Sequence, residues 1–190
     1  MNKQACFVLS LLPAFVLALA ACGGSAKKLP FYDKVPLFTM TDSEGHAFGR
    51  SQMAGKVWVV DFIYTFCPAE CPRMSSQMHK LQGQIKYMND VRLLSISVDP
   101  ERDTPPVLND FAHRWGGPNE QWTFITGDAA TVHLLAYQTF HIGDVINKME
   151  HSTRFALVDK QGTIRGYYSS FDRDSLRDLS KDIESLRKAS

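Results

Sequence analysis

The chain has 190 residues, of which 44% are hydrophobic and 22% are charged, and its formal net charge is +1. These values are ordinary for a globular protein, and the length is enough for one domain with a real hydrophobic core. A net charge this small gives no electrostatic basis for binding nucleic acid, so we expect no nucleic-acid partner.

The first 21 residues have the features of a secretory signal peptide. Lys3 supplies a positive charge, and the segment from Ala5 to Ala21 is almost wholly apolar and ends in small residues. This order is typical of a signal peptide. The alternative is a transmembrane anchor that is not removed, but the segment is short for a span and contains Pro13. We predict a signal peptide at residues 1–21 and a destination outside the cytoplasm.

The end of this segment, Leu19-Ala20-Ala21-Cys22, resembles a bacterial lipoprotein processing site. The resemblance implies cleavage before Cys22 and acyl chains on that residue, which would anchor the protein in the periplasm or on the outer face of the cell membrane. Two or more acyl chains give stable attachment. An ordinary cleavage site with an incidental cysteine is the alternative. Residues 22–34 are then predicted to be a tether, and residues 35–190 a folded domain.

Periodicity after the tether predicts a hairpin first, from Val35 to Thr41 and a turn at residues 42–45. Residues 57–66 are apolar on both faces, which predicts a central strand. Pro72 suits the first turn of the helix that follows. Further strands are predicted at 91–98, 122–126, 153–158 and 163–168, and further helices from 105, over 128–140 and along the apolar stripe 176–186.

This order of elements predicts the α/β class, as a sandwich with a central mixed β-sheet flanked by helices and an N-terminal hairpin extension.

Four cysteines are present. Cys6 leaves with the signal peptide and Cys22 carries lipid, so Cys67 and Cys71 remain in the domain. Closing a loop of three intervening residues gains little entropy, so a purely structural disulfide is a poor reason for this pair.

The spacing of the pair favours metal or redox chemistry. Cys71 precedes Pro72 at a predicted helix N-terminus, where the helix dipole and free N–H groups are expected to favour its thiolate. The three-residue spacer, where the common redox motif has two, lets both sulfurs point at one external atom. Two thiolates select Cu(I), or Zn(II) if further ligands are added. A structural zinc site would need two more cysteines or histidines close in sequence, and the sequence has none there.

Six histidines are candidates for a third ligand. His151 is the best placed, because it ends a polar loop just before the strand predicted from Thr153, and the start of that strand can face the cysteine loop. His141 is the next candidate.

Asp61 interrupts the central strand, and two interpretations stay open. It is either a buried carboxylate with a raised pKa that moves protons, or a strand-end residue bonded to nearby backbone.

Three segments resemble the signatures of the Sco/SenC copper proteins. They are residues 64–72 (YTFCPAECP), residues 97–105 (SVDPERDTP), and His151-Ser152-Thr153 followed by Leu157-Val158-Asp159 and Gly162. The resemblance covers the chain from Val35 onward, and three motifs in the right order make it specific.

The resemblance implies a thioredoxin-like fold and copper bound by Cys67, Cys71 and His151. It implies delivery of copper to the binuclear copper site of a cytochrome c oxidase subunit, or reduction of that site's cysteines before loading. Other copper donors or thiol reductants are further partners. Residues 101–103 are then expected to be a structural loop and cap. Asp61 is similar in position to the carboxylate that lies beneath the cysteines of thioredoxins.

The loop before His151 departs from many relatives because it is short and has few acids. Asp144 and Glu150 are the acids between His141 and His151. Met149 and His141 are unusual neighbours for such a site and are further candidates for contact with the metal.

Two alternatives concern activity. The first is a metal-free thiol–disulfide oxidoreductase of the thioredoxin-like class, which is compatible with copper binding because the thiols must be reduced before they bind metal. Thioredoxin-like reductases generally carry a proline before the facing strand, whereas residues 149–152 offer a histidine and no proline. The second is a peroxidase of the peroxiredoxin type. It needs a threonine three residues before the reactive cysteine, whereas Thr65 is two before Cys67.

Overall fold

The computed structural model describes residues 28–142 and 153–189. Strands and helices alternate along this part of the chain. In order they are β1 (Thr39–Asp42), β2 (Ala47–Gly49), a 3-10 helix (Arg50–Met53), β3 (Val57–Ile63), α1 (Glu70–Ile85), β4 (Val91–Ser97), α2 (Pro105–His113), β5 (Trp122–Thr126), α3 (Ala129–His133), a π-helix (Leu134–Thr139), β6 (Arg154–Val158), β7 (Ile164–Ser169) and α4 (Arg173–Lys188).

The strands form one mixed sheet in the order β2-β1-β5-β4-β3-β6-β7. β3, β4 and β5 are parallel, which the helical crossovers α1 and α2 between them allow, and the remaining pairs are antiparallel. The predicted thioredoxin-like α/β class with a central mixed sheet is confirmed. The predicted N-terminal hairpin is β1 and β2, and it extends the sheet because β1 pairs with β5.

β3 lies in the middle of the domain and is buried along its whole length. Its side chains alternate between two hydrophobic clusters, as a strand covered on both faces requires. Val59 and Ile63 pack with α1, α2 and α4, whereas Trp58 and Phe62 pack with the π-helix and the segment before β1. Asp61 has the same parity as Val59, so its carboxylate lies on the face that α1 covers.

The ends of β3 and α1 differ from the sequence-based expectation in ways that shape the site. β3 stops at Ile63, three residues before the predicted end at Phe66, because the chain then makes a turn in which the Cys67 N–H donates to the Tyr64 carbonyl at 3.2 Å. α1 begins at Glu70, two residues before Pro72. Cys71 therefore lies inside the first helical turn.

The helix predicted over residues 128–140 is present in two parts. Asp128 caps α3 by accepting a hydrogen bond from the Thr131 N–H at 2.9 Å. The chain then continues as a π-helix over Leu134–Thr139. The wider winding was not predicted, because apolar periodicity does not separate the two helix types.

The chain is attached to the domain before the predicted boundary at Val35. Leu29 is buried, and the Arg165 guanidinium donates to the carbonyls of Leu29 and Pro30 at 2.9 and 2.7 Å. The Tyr32 N–H donates to the Ile164 carbonyl at 3.0 Å. Residues 29–34 are therefore held against β7, and the predicted tether stays a prediction for residues 22–28.

Across residues 28–142 and 153–189, every helix is too short or too polar to cross a membrane.

Candidate functional site

The two domain cysteines meet at the carboxyl end of β3, where the turn from Tyr64 to Cys67 leads into α1. Both are free thiols. The Cys71 N–H donates to the Cys67 sulfur at 3.2 Å. Cys67 is 6% exposed and Cys71 is fully buried. The structure therefore brings together the pair that the spacing singled out, with Cys67 on the outer side.

The Cys67 sulfur serves as the cap of α1. The N-cap residue, Ala69, has no side-chain oxygen to accept a hydrogen bond from the first-turn amides. Those amides lack helical partners and need an acceptor. The sulfur of Cys67 takes this role through the Cys71 N–H. A sulfur that accepts from helix N-terminal amides is stabilised as the thiolate.

Hydrogen bonds decide the protonation of Cys67. Burial alone would raise the pKa of this thiol, but hydrogen bonds from the backbone of Cys71 and Ala69 act against burial. Further hydrogen bonds come from the side chains of Cys71 and Tyr64. Together these bonds hold the pKa of Cys67 below its usual value.

Cys71 behaves in the opposite way, so the expectation that its thiolate would be favoured is wrong. Burial raises the pKa of Cys71, and the neighbouring Cys67 and Asp61 raise it further. The physical reason is the position of the helix start. Because α1 begins at Glu70, the free amides point back at Cys67, and Cys71 is turned into the core. Cys67 therefore ionises more readily than Cys71.

Asp61 is a buried carboxylate inside β3, and the strand-end interpretation is wrong. It is 0% exposed, and one oxygen, Oδ1, accepts from the Ser95 hydroxyl at 2.6 Å. The Ser95 oxygen in turn accepts from the Trp122 indole N–H at 2.9 Å. The other carboxylate oxygen, Oδ2, has no hydrogen-bond partner within the described part of the chain. Burial raises the pKa of Asp61 to about 7.

Asp103 is a second buried acid near the cysteines, and the sequence predicted it to be part of a structural loop and cap. It is 0% exposed and accepts hydrogen bonds from Thr65 and Ser97. The contact with Thr65 crosses from the loop after β4 to the turn that carries Cys67. No sequence signal pointed to this role of Asp103, because residue spacing reveals neither burial nor a contact between distant loops.

His151 lies outside the described residues, and so do Asp144, Met149 and Glu150. The strand that follows them is well placed, because β6 runs antiparallel to β3 with Val60 opposite Ala156. The start of β6 is therefore at the same sheet end as the cysteines.

His141, the second histidine candidate, is engaged elsewhere. Its Nε2 lies 2.7 Å from the Asp33 carboxylate in the segment before β1, and both side chains are exposed. This ring nitrogen is therefore occupied by a carboxylate of the N-terminal segment.

A separate group of possible metal ligands lies at the turn between β1 and β2. Asp42, Glu44 and His46 place ligand atoms within 4.8 Å of one another. The Asp42 Oδ1 already accepts hydrogen bonds from the Glu44 and His46 N–H groups, which explains the cluster as a turn. In the sheet, β5 and β4 separate β1 from β3. The group is thus distinct from the cysteine site.

Comparisons with known proteins agree on one family. The sequence profile of the SCO1/SenC family matches residues 27–188. The SCO1 protein homolog of Bacillus subtilis is 33% identical over 177 residues, which cover 89% of this chain and 91% of that protein.

Two solved structures are similar over most of the domain. A SCO1/SenC family lipoprotein from Bacillus anthracis superposes with a TM-score of 0.75 at 30% identity, covering 82% of this chain and 96% of that one. BsSco, described as a member of the Sco family of cytochrome c oxidase assembly proteins with a disulfide switch, gives a TM-score of 0.75 at 30% identity. The alignment covers 86% of this chain and 98% of that one.

The unequal thiols predict unequal alkylation. In the reduced full chain at pH 7, we expect iodoacetamide to modify Cys67 at least about ten times faster than Cys71, because the thiolate is the nucleophile and Cys71 is both protonated and buried. Peptide mapping by mass spectrometry measures both rates, and guanidinium-denatured protein should give similar rates at the two sites. Faster modification of Cys71 in the native chain would contradict this assignment.

The raised pKa of Asp61 predicts a loss of stability with rising pH. Between an unfolded pKa of about 4 and a folded pKa of about 7, the folded chain binds the extra proton, so stability falls as pH rises through this window. We expect Asp61→Asn to remove about 2–3 kcal/mol of the fall between pH 5 and pH 8, because an amide does not ionise.

Urea denaturation of the wild type and of Asp61→Asn at the two pH values measures this difference. Asp110→Asn is the matched control, because Asp110 is exposed on α2 and its loss should leave the pH dependence as in the wild type. Parallel curves for the wild type and Asp61→Asn would mean that Asp61 is not the group responsible.

Proposed function

This chain belongs to the SCO1/SenC family, and from that premise we propose that it is a copper metallochaperone that acts in cytochrome c oxidase assembly. We propose that Cys67, Cys71 and His151 hold the copper. The delivery target is the binuclear copper site of an oxidase subunit, and the same thiols can reduce the cysteines of that site before loading.

The observation that carries the proposal is the pair of free thiols at the end of β3. The two sulfurs share one hydrogen-bond network, and Cys67 has the environment of a thiolate. Soft sulfur ligands of this kind select Cu(I). Binding to the second sulfur must displace the proton of Cys71, so copper uptake should release protons.

The direction of β6 supports His151 as the third ligand. Thr153, two residues later, is tied in place because its carbonyl accepts from the Ser170 N–H and hydroxyl at 2.8 and 2.6 Å. This attachment is next to the strand β3 that leads to Cys67. An imidazole is a suitable third ligand, particularly for Cu(II), which prefers nitrogen more than Cu(I) does.

A second candidate function is metal-free thiol–disulfide exchange, and the asymmetry of the two thiols favours it. The Cys67 thiolate would attack one sulfur of a partner disulfide and release a partner thiolate. Cys71, after losing its proton to solvent or a nearby base, would then attack the mixed disulfide. The products are a Cys67–Cys71 disulfide and a partner reduced by two electrons. The disulfide switch described for BsSco is of the same chemical kind.

We further propose that residues 1–21 are a signal peptide and that a lipid on Cys22 holds the domain at the extracytoplasmic face of a membrane. The four residues 19–22 support this, and a similar solved structure is a family lipoprotein. Residues 22–28 would then separate the lipid from the first contacts of the domain.

Copper uptake tests the ligand set. Reduced full-length protein should bind one copper per chain, and Cys67→Ser or Cys71→Ser should abolish high-affinity Cu(I) binding, because one thiolate with an imidazole is a weak trap. His151→Ala should weaken Cu(II) binding by at least about tenfold and leave the fold intact. Competition with chelators of known affinity measures both oxidation states.

His113→Ala is the matched control, because His113 is exposed on α2 and should bind copper as the wild type does. Equal affinity of the wild type and His151→Ala would remove His151 from the site. A wild type that takes up no copper but turns over unrelated disulfides rapidly would support the second candidate function instead.

Membrane fractionation tests the anchor. Cys22→Ser should move the protein from the membrane fraction to the soluble fraction, because the acyl chains have no attachment point. Cys6→Ser is the control and should stay with the membrane. Continued attachment of the Cys22 variant would identify the apolar segment itself as the anchor.

A further inference from the structure

Asp103 makes an unusually complete set of hydrogen bonds for a buried acid. It is 0% exposed and follows β4 in the loop before α2. Its Oδ2 accepts from the Ser97 hydroxyl at 2.6 Å and from the Thr65 N–H at 3.1 Å. Its Oδ1 accepts from the Thr65 hydroxyl at 2.6 Å. Both hydroxyl bonds are at the short end of the range for O–H···O hydrogen bonds.

These bonds join two loops that are far apart in the sequence. Thr65 is separated from Asp103 by 38 positions. The acid's own loop is closed at its base, because the Asp103 N–H donates to the Asp99 carbonyl at 2.9 Å and the Asp99 N–H donates to the Ser97 hydroxyl at 3.1 Å. These bonds within the loop after β4 fix the position of Asp103, so its carboxylate is a fixed hydrogen-bond acceptor for Thr65.

Thr65 lies inside the turn that sets the position of Cys67. That turn is closed by the bond from the Cys67 N–H to the Tyr64 carbonyl at 3.2 Å. Cys67 then places its sulfur against the Cys71 N–H at the start of α1. A contact that fixes Thr65 by both its backbone and its side chain consequently fixes where this sulfur lies relative to the helix.

We propose that Asp103 is a positioning residue for the thiol site, which acts through Thr65 to hold the Cys67 sulfur at the N-terminus of α1. It does not touch the copper or the sulfur in this role. The importance of this position for copper binding rests on the proposed function, because a misplaced sulfur would be a poorer ligand. The positioning itself can be tested without metal.

The main variant is Thr65→Val, which keeps the size and the backbone N–H of threonine but removes the hydroxyl that donates to Asp103. Asp103→Asn is the complementary variant, because an amide replaces one acceptor oxygen with a donor that confronts Thr65 or Ser97. Thr65→Ser is the conservative variant, since it restores a hydroxyl.

The chain supplies a matched control in Thr131→Val. The Thr131 hydroxyl donates to the Asp128 carboxylate at 2.6 Å and its N–H at 2.9 Å, which is the same pair of contacts at the start of α3. The control therefore removes a hydroxyl–carboxylate bond of the same length at an exposed helix start, away from the cysteines.

The readout is the rate of Cys67 alkylation by iodoacetamide as a function of pH, in the reduced, metal-free full chain, with sites assigned by peptide mapping. If the sulfur leaves the helix amides, less thiolate forms near neutral pH. We expect Thr65→Val and Asp103→Asn to lower the Cys67 rate at pH 7 by about three- to tenfold and to approach the wild type as the pH rises, because more of the thiol is then ionised in every variant. Thr65→Ser and Thr131→Val should follow the wild-type profile.

A merely structural role gives a different result, because a loosened fold exposes both cysteines and speeds their alkylation at every pH. That outcome, or an unchanged midpoint in Thr65→Val, would overturn the proposal. If Asp103→Asn fails to fold, the alkylation profile of Thr65→Val is sufficient to test the proposal. A wild type that binds no copper would refute the proposed function and leave this test unaffected.

Discussion

The hydrogen bond from the Cys71 N–H to the Cys67 sulfur is the contact on which the rest of the site depends. It caps a helix whose N-cap residue, Ala69, offers no oxygen. The same bond makes the two thiols unequal, because it stabilises charge on Cys67 while the helix turns Cys71 into the core. One contact thus caps the start of α1, makes the two thiols unequal and favours the charged form of the sulfur that we propose as a copper ligand.

Two buried acids flank this contact and differ in how they are satisfied. Asp103 receives hydrogen bonds from a backbone N–H and two hydroxyls, which give both of its oxygens a partner. Asp61 receives one hydroxyl, and its Oδ2 lies buried without a partner in the described part of the chain. An acid in that condition favours its neutral form, so the core beneath α1 holds a proton that a surface acid would lose. The fold therefore keeps one acid as a fixed anchor and the other as a group that can change charge.

The sheet explains why distant motifs meet. β3 and β4 are parallel, so the loops that follow them, with Cys67 and Asp103, emerge at the same end. β6 is antiparallel to β3, so its beginning lies at that end too. Strand direction therefore brings the thiols, Asp103 and the start of β6 to one end of the sheet. An α/β sheet commonly uses this end for binding. Both faces of β3 are covered, so the site has a rigid base.

The sequence by itself determined the class of the fold, the central strand, the N-terminal hairpin and the cysteine pair. Those features follow from local patterns: apolar residues on both faces of a strand, a turn signal at residues 42–45, and thiol spacing. Only the tertiary structure decided which sulfur ionises more readily, because that depends on a helix start two residues earlier than Pro72 suggested. It also decided that Asp103 reaches Thr65 and that His141 faces Asp33. Such contacts join residues far apart in the chain, and no local pattern encodes the distance between them.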